Sequence, residues 1–375
     1  MEVEPFAIAI DDNALADLRT RIRSARLPDA APGEPWGQGT DLEYLRDALA
    51  YWADGFDWRA RERELNELAH FRAQVDGVRI HFVHERARGG GGIPLILTHG
   101  WPSSFLELLA LVPLLRDDFD LVIPSLPGYG FSERPARTGV TSRYTARLWH
   151  QLMRGLGYQR YGAQGGDWGA AVSTFMALDE PEPMIGLHLS NLDNAPYTGP
   201  GSRPLSDAER AYVADEQRWR AEEYAYGAIQ STRPQTLAYG LNDSPAALAA
   251  WILEKWRAWS DCAGDVESRF SRDFLLTNVT LYWVTETIAT SMRDYFDNRW
   301  FAETTIGPDD FVSVPTAITS FSRHFAHEGV APREWAERLY DVRRFTPMPR
   351  GGHFPATEEP QLLASDIAAF FAELA

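Results

Sequence analysis

The sequence predicts an α/β protein: a mostly parallel sheet with helices on both faces, an inserted helical cap and an N-terminal meander. Three observations carry that expectation. From residue 93 onward, short apolar runs of strand type alternate with helix-type runs, the pattern of a parallel sheet covered on both sides. That rhythm stops at about residue 196, where a long helical, aromatic-rich stretch begins, and it resumes after about residue 300. Before residue 93 lie two helical patterns and a hairpin, without the strand–helix alternation.

Taken in order, residues 11–28 read as a helix capped by Asp11 or Asp12, with Leu15, Leu18 and Ile22 on one face and Pro28 as its stop. PDAAPGEPWGQG is irregular, and DLEYLRDALAYWADGFDWRARERELNEL reads as one helix with Leu45, Leu49 and Trp52 inward. FRAQVDGVRIHFVHE is a hairpin turning at Asp76-Gly77, and ARGGGG is a flexible joint. Strands then follow in IPLILTHG, FDLVIPSLPGYG, YGAQGG and MIGLHLSNL, separated by helices in SSFLELLALVPLL, TARLWHQLMRGLG and GAAVSTFMAL. After the cap, FVSVPTAITSF and DVRRFTPMP are strands and PQLLASDIAAFFAEL is the closing helix. The expected divisions are 1–92 for the meander and hairpin, 93–195 for the first part of the core, 196–300 for the cap and 301–375 for the rest of the core.

The composition, 45% hydrophobic and 24% charged over 375 residues, belongs to a soluble globular chain. A formal charge of −17 repels phosphate backbones and argues against a nucleic-acid partner. The single cysteine, Cys262, excludes an intrachain disulfide and a cysteine-based zinc site. The acidic start MEVEPFAIAIDDN lacks the features of a signal peptide, and no apolar run has the length of a membrane span. These features predict a cytoplasmic protein without a membrane anchor, as a monomer or homodimer. Thirteen Trp and fourteen Tyr predict either a large aromatic core or an aromatic-lined pocket.

In a parallel sheet, ligands bind beyond the carboxyl ends of the strands, and three segments fall there. Gly165-Gly166-Asp167-Trp168-Gly169 has the small-x-nucleophile-x-small spacing of a nucleophile elbow, with Asp where ester hydrolases carry Ser. His99-Gly100-Trp101-Pro102 follows a strand and offers a backbone N–H that, with the N–H of Trp168, would hold an oxyanion. Gly351-Gly352-His353-Phe354-Pro355 places a histidine last in chain order, the position of the base in this arrangement. No HExxH or His/Cys cluster suggests a metal, His324-Phe-Ala-His327 being only a weak signal, and no cofactor is expected.

The succession HGWP, PSLPGYGFS, GGDWG, IQSTRPQTLAYGLNDSP, TNVTLYW and GGHFPATEEP resembles the epoxide hydrolases of the α/β-hydrolase fold, over roughly residues 5–375. The resemblance is closest to the microsomal-type branch with its N-terminal meander. GGDWG and HGWP are shared with haloalkane dehalogenases; the IQSTRPQTLAYGLNDSP and LYW segments are more specific. The resemblance implies a small-molecule hydrophobic epoxide as substrate, a fairly large, aromatic or lipid-like one. It implies Asp167 as nucleophile, His353 as general base, Trp101 and Trp168 as oxyanion donors, and Tyr226 and Tyr295 as the pair that activates the epoxide oxygen. His99, Pro102, Trp168 and Trp283 are expected to contact substrate.

The chemistry explains the aspartate. Back-side displacement at an sp³ carbon by a carboxylate leaves an ester, which water can cleave, whereas a serine ether would be a dead end. The sequence departs from the family at the third triad member. The expected acid position, in Phe321-Ser322-Arg323-His324, holds His324. Asp193 and Glu328 are the candidates to replace it. Two alternatives therefore stand beside an epoxide hydrolase: a haloalkane dehalogenase, and a relative repurposed in specialised metabolism as a cyclase, a rearrangement catalyst or a ligand-binding protein.

Overall fold

The computed structural model describes residues 1–321 and 329–374. Its strands are β1 (Val3–Pro5), β2 (His70–Val75), β3 (Val78–Glu85), β4 (Ile93–Thr98), β5 (Phe119–Pro124), β6 (Tyr161–Gly165), β7 (Met184–Leu189), β8 (Val312–Phe321) and β9 (Tyr340–Met348). They form one nine-stranded sheet in the order β1-β2-β3-β5-β4-β6-β7-β8-β9. β1, β2, β3 and β5 pair antiparallel, and every pairing from β5 across to β9 is parallel. The α/β-hydrolase fold expected from the strand–helix rhythm is therefore present, with helices on both faces.

The central strands are apolar on both faces because both are covered: Leu95, Ile96, Leu97, Leu121, Val122, Ile123 and Ala163 are fully buried. The cap runs from the helix Asp207–Glu222, which starts in a capping box of Ser206 and Glu209, to the helix Ile288–Trp300.

Two local expectations differ from what is found, and one strand was not foreseen. The helix over 41–68 is two helices, Leu42–Asp54 and Trp58–Leu65. Gly55 ends the first, and the Asp57 side chain accepts from the Ala60 N–H to start the second. The helix over 103–115 is instead a 3-10 run, Phe105–Leu111, followed by one α-turn, Val112–Leu115, in whose first turn lies Pro113. The N-terminal segment, for which no element was expected, supplies β1, which pairs Val3 with Ala73 at the sheet edge.

Candidate active site

The parallel strands β4, β6, β7 and β9 end on the same side of the sheet and deliver the site. β6 stops at Gly165, and Asp167 follows on a turn with φ 51° and ψ −130°. For a residue with a Cβ this is a strained backbone, costing on the order of 1–3 kcal/mol, and it lifts the carboxylate out of the strand end. The glycines around it are steric necessities. A Cβ on Gly165 would overlap the carbonyl oxygen of Gly169, one on Gly169 that of Thr98, and one on Gly100 the side chain of Asp167. The Asn191 side chain, just beyond β7, accepts from the Asp167 N–H at 2.8 Å and ties the turn to the neighbouring strand.

The two carboxylate oxygens face different partners. Oδ1 accepts from the Trp101 N–H at 2.9 Å and the Trp168 N–H at 2.7 Å. Oδ2 lies 3.3 Å from Nε2 of His353. His353 is buried on the loop after β9, its N–H donating to the Trp259 carbonyl at 2.8 Å. Its ring meets that of Trp259 edge to face, 5.1 Å between centroids.

Above Asp167 stand the two tyrosines from the cap. The Tyr226 ring stacks on Trp101 at 5.4 Å, and Tyr295 packs edge-on against Trp168 at 4.8 Å and Tyr226 at 5.9 Å. Burial, then the charge of Asp167, holds the Tyr226 hydroxyl well above the usual phenol range. Burial also holds Tyr295 there, with Tyr226 and Asp167 adding to it. Both are therefore O–H donors at neutral pH. Together with Asp167, Trp168, Asn191 and Asp193 they line a cavity of about 260 Å³.

The chain's similarities match this geometry. Residues 3–108 match the family model described as epoxide hydrolase N terminus, and residues 93–281 that of the alpha/beta hydrolase fold. A putative epoxide hydrolase of Stigmatella aurantiaca is 40% identical over 99% of this chain and 85% of its own length. Epoxide hydrolase 1 of Oryctolagus cuniculus is 36% identical over 98% of this chain and 88% of its own. The chain belongs to the epoxide hydrolases of the α/β-hydrolase fold. Among solved structures, the juvenile hormone epoxide hydrolase of Bombyx mori superposes with a TM-score of 0.90, covering 100% of this chain and 95% of that one at 31% identity. The Aspergillus niger epoxide hydrolase gives 0.87, over 100% and 97%, at 30% identity.

Within this epoxide hydrolase fold, the remaining residues singled out in the sequence fall in different places. His99 is buried behind the site rather than against the cavity. Burial pushes its imidazole down to about 4, and the neutral ring donates from Nδ1 to the Gly100 carbonyl while Nε2 accepts from the Leu126 N–H. Pro102 is buried, with its carbonyl held by the Asn278 amide at 2.9 Å. Trp283 sits apart, half-buried on the helix Arg272–Thr285 with the Arg21 guanidinium 5.8 Å from its ring, and it does not line the cavity. Of the four expected substrate contacts, only Trp168 lines it. Asp193 also lines the cavity, and among the described residues it forms no ion pair with His353. His324, His327 and Glu328 lie outside the described residues. No helix among the described residues is long and apolar enough to cross a membrane.

Two contributors have no motif of their own. Asn191 is one polar residue in a strand-end loop, although its place next to the elbow strand was a signal. Glu358 accepts from the backbone N–H groups of Asp261 (2.7 Å), Gly352 (3.1 Å) and Phe354 (3.0 Å), bracketing His353 and tying its loop to the cap. Burial pushes its carboxyl up to about 7. A second buried carboxyl, Glu107, accepts from the Ser103 hydroxyl below the HGWP loop and is pushed up to about 8, again chiefly by burial.

Proposed function

We propose that this chain opens an epoxide to a vicinal diol through an ester on Asp167. The observation that carries the reading is the division of labour between the two oxygens of Asp167. Oδ2, facing the cavity and His353, attacks the ring carbon. The epoxide oxygen leaves as an alkoxide, which Tyr226 and Tyr295 protonate or hold by hydrogen bonds. His353 then takes a proton from water, which attacks Cγ of Asp167. The developing charge falls on Oδ1, the oxygen already facing two backbone N–H donors, so little reorganisation is needed. Collapse of the tetrahedral intermediate returns the carboxylate and releases the diol.

A carboxylate partner for His353 completes the base. Because Asp193 forms no ion pair with His353, the proposal assigns that part to Glu328, the one carboxylate in the sequence 322–328. Glu328→Gln should then slow ester hydrolysis more than Asp193→Asn does; the reverse order would return the assignment to Asp193.

The reaction itself is tested by a single turnover of excess enzyme with an aryl epoxide in ¹⁸O-water. The peptide that contains Asp167 should gain ¹⁸O while diol forms. Diol formed without label in that peptide would exclude the ester route.

A further inference from the structure

The peptide unit between Gly100 and Trp101 faces two ways. Its N–H donates to Oδ1 of Asp167 at 2.9 Å, and its carbonyl oxygen, on Gly100, points away from the cavity because a trans peptide is planar. Two side chains reach that oxygen: His99 Nδ1 at 3.0 Å and Ser103 Oγ at 3.3 Å. The His99 tautomer is fixed, since Nε2 accepts from the Leu126 N–H and the proton must therefore sit on Nδ1. Ser103 is not fixed in this way. Its buried hydroxyl has one proton and two acceptors, the Gly100 oxygen and Oε2 of Glu107. The backbone of the turn is pinned from the helix Arg272–Thr285, where the Tyr282 hydroxyl donates to the Ser103 carbonyl at 2.7 Å and the Asn278 amide to that of Pro102 at 2.9 Å. What is left to choose is where the Ser103 hydroxyl sends its proton.

We infer that Ser103 and Glu107 are positioning residues for the oxyanion site: Glu107, as the carboxylic acid, donates to Ser103 Oγ, so that Ser103 donates to the Gly100 carbonyl and thereby aims and strengthens the Trp101 N–H. This rests on the ester mechanism proposed above. A donor on the carbonyl oxygen draws electrons from the amide nitrogen, and hydrogen bonds in a buried chain reinforce one another. It also opposes any turn of the peptide plane that would carry the N–H away from Oδ1. An ionised Glu107 only accepts; it would take the Ser103 proton and leave the Gly100 oxygen to His99 alone. The surroundings favour the acid. Burial, with the charges of Asp167 and Glu358 adding to it against the pull of the Ser103 hydrogen bond, pushes the Glu107 carboxyl up to about 8. Those two carboxyls, with Tyr282 from the helix packed above, are the titratable groups that face it. The consequence falls on the second chemical step. Oδ1 takes up negative charge only when water attacks the ester, so ester formation is little changed.

The experiment follows single turnovers of excess enzyme with styrene oxide by rapid quench. The alkylated Asp167 peptide, read by mass spectrometry, times ester formation and ester hydrolysis separately. Ser103→Ala should slow hydrolysis about tenfold near neutral pH, less than outright loss of an oxyanion donor, and leave ester formation within about twofold. Wild-type hydrolysis should fall by a similar factor as pH rises through about 8, or somewhat lower because the ester cancels the charge of Asp167. Glu107→Gln, whose amide still donates to Ser103 Oγ, should hydrolyse the ester faster than Ser103→Ala and lack the alkaline fall. Ser103→Ala should lack it too. Wild-type hydrolysis in Ser103→Ala, or an equal slowing of both steps, would overturn the assignment. So would an alkaline fall that persists in Ser103→Ala, since ionised Glu107 would then act through space and not through the hydroxyl. Each of these results leaves the epoxide reading standing. If the wild type forms no ester on Asp167, that reading fails and this assignment fails with it.

Discussion

Asp167 and His353, the proposed nucleophile and base, are anchored in opposite ways. Asp167 belongs to the sheet: strand β6, the glycines at 165 and 169, the Asn191 side chain and the β4 loop place it through backbone sterics and short bonds within the core. His353 is referenced to the cap. Its N–H bonds to Trp259, the Gly351 N–H bonds to Asp261 Oδ2 at 3.1 Å, and Glu358 joins Asp261 to Gly352 and Phe354. The Phe354 ring stacks on Trp256 at 3.9 Å. The difference teaches that, in the proposed mechanism, the first chemical step draws on core geometry, whereas the second depends on how the cap is seated.

The comparison can be broken most severely at Asp167. Asp167→Asn should lower turnover by ~10⁴-fold or more, since an amide is a poor nucleophile. Wild-type rates in the verified mutant, after deamidation is excluded by mass spectrometry, would sink the assignment. His353→Ala should separate the two halves. Ester formation persists in a single turnover, while steady-state turnover falls by ~10³-fold, and an alkylated Asp167 peptide accumulates. Full multiple turnover would contradict it. The double change Tyr226→Phe with Tyr295→Phe should slow ring opening by ~10²-fold or more, read from the rate of ester formation. An unchanged rate would remove the role given to the tyrosines.

The smallest effect sharpens the contrast most. Glu358→Gln must turn its amide NH₂ towards at least one of the three N–H groups, loosening the loop that carries His353. Ester hydrolysis should slow about tenfold, with ester formation much less affected. The pH dependence has a definite sign. The folded Glu358 carboxyl titrates near 7, above the ordinary glutamate range, so the folded state binds the proton more tightly than the unfolded chain. That stabilisation is fully present at low pH and is lost as pH rises through about 7. Wild type should therefore lose thermal stability relative to Glu358→Gln between about pH 5 and pH 8. Glu107, also raised, is present in both proteins and cancels from the difference. Parallel melting curves across that range would refute the role.

Local residue order was enough to read the strand–helix rhythm, the insertion of the cap and the elbow. Each is written in periodicity or in small residues whose spacing the backbone requires. The same holds for the convergence of His99-Gly100-Trp101 with Asp167, since consecutive parallel strands must end on the same side of the sheet. The environments of single polar residues were not legible. Trp283 was expected at the substrate because of its place in LYW, yet which face of its helix meets the cavity depends on how the cap packs. Asp193 offered itself as the acid of a triad, and its position just past β7 fits that part, but the side chain turns into the cavity wall. The single helix read over 41–68 failed at Gly55 and Asp57, where capping bonds outweigh an otherwise continuous apolar stripe.

By itself, then, the sequence determined the fold class, the strained turn that carries Asp167 and the histidine at the end of the chain order. These follow from sterics and periodicity acting over a few residues. Only the tertiary structure decided which oxygen of Asp167 meets the N–H pair and which meets His353, how Glu358 binds the His353 loop to the cap, and where Asp193 points. Those are distances between segments some 65 to 190 positions apart in the chain, and no local pattern encodes them because the packing of separate elements sets them.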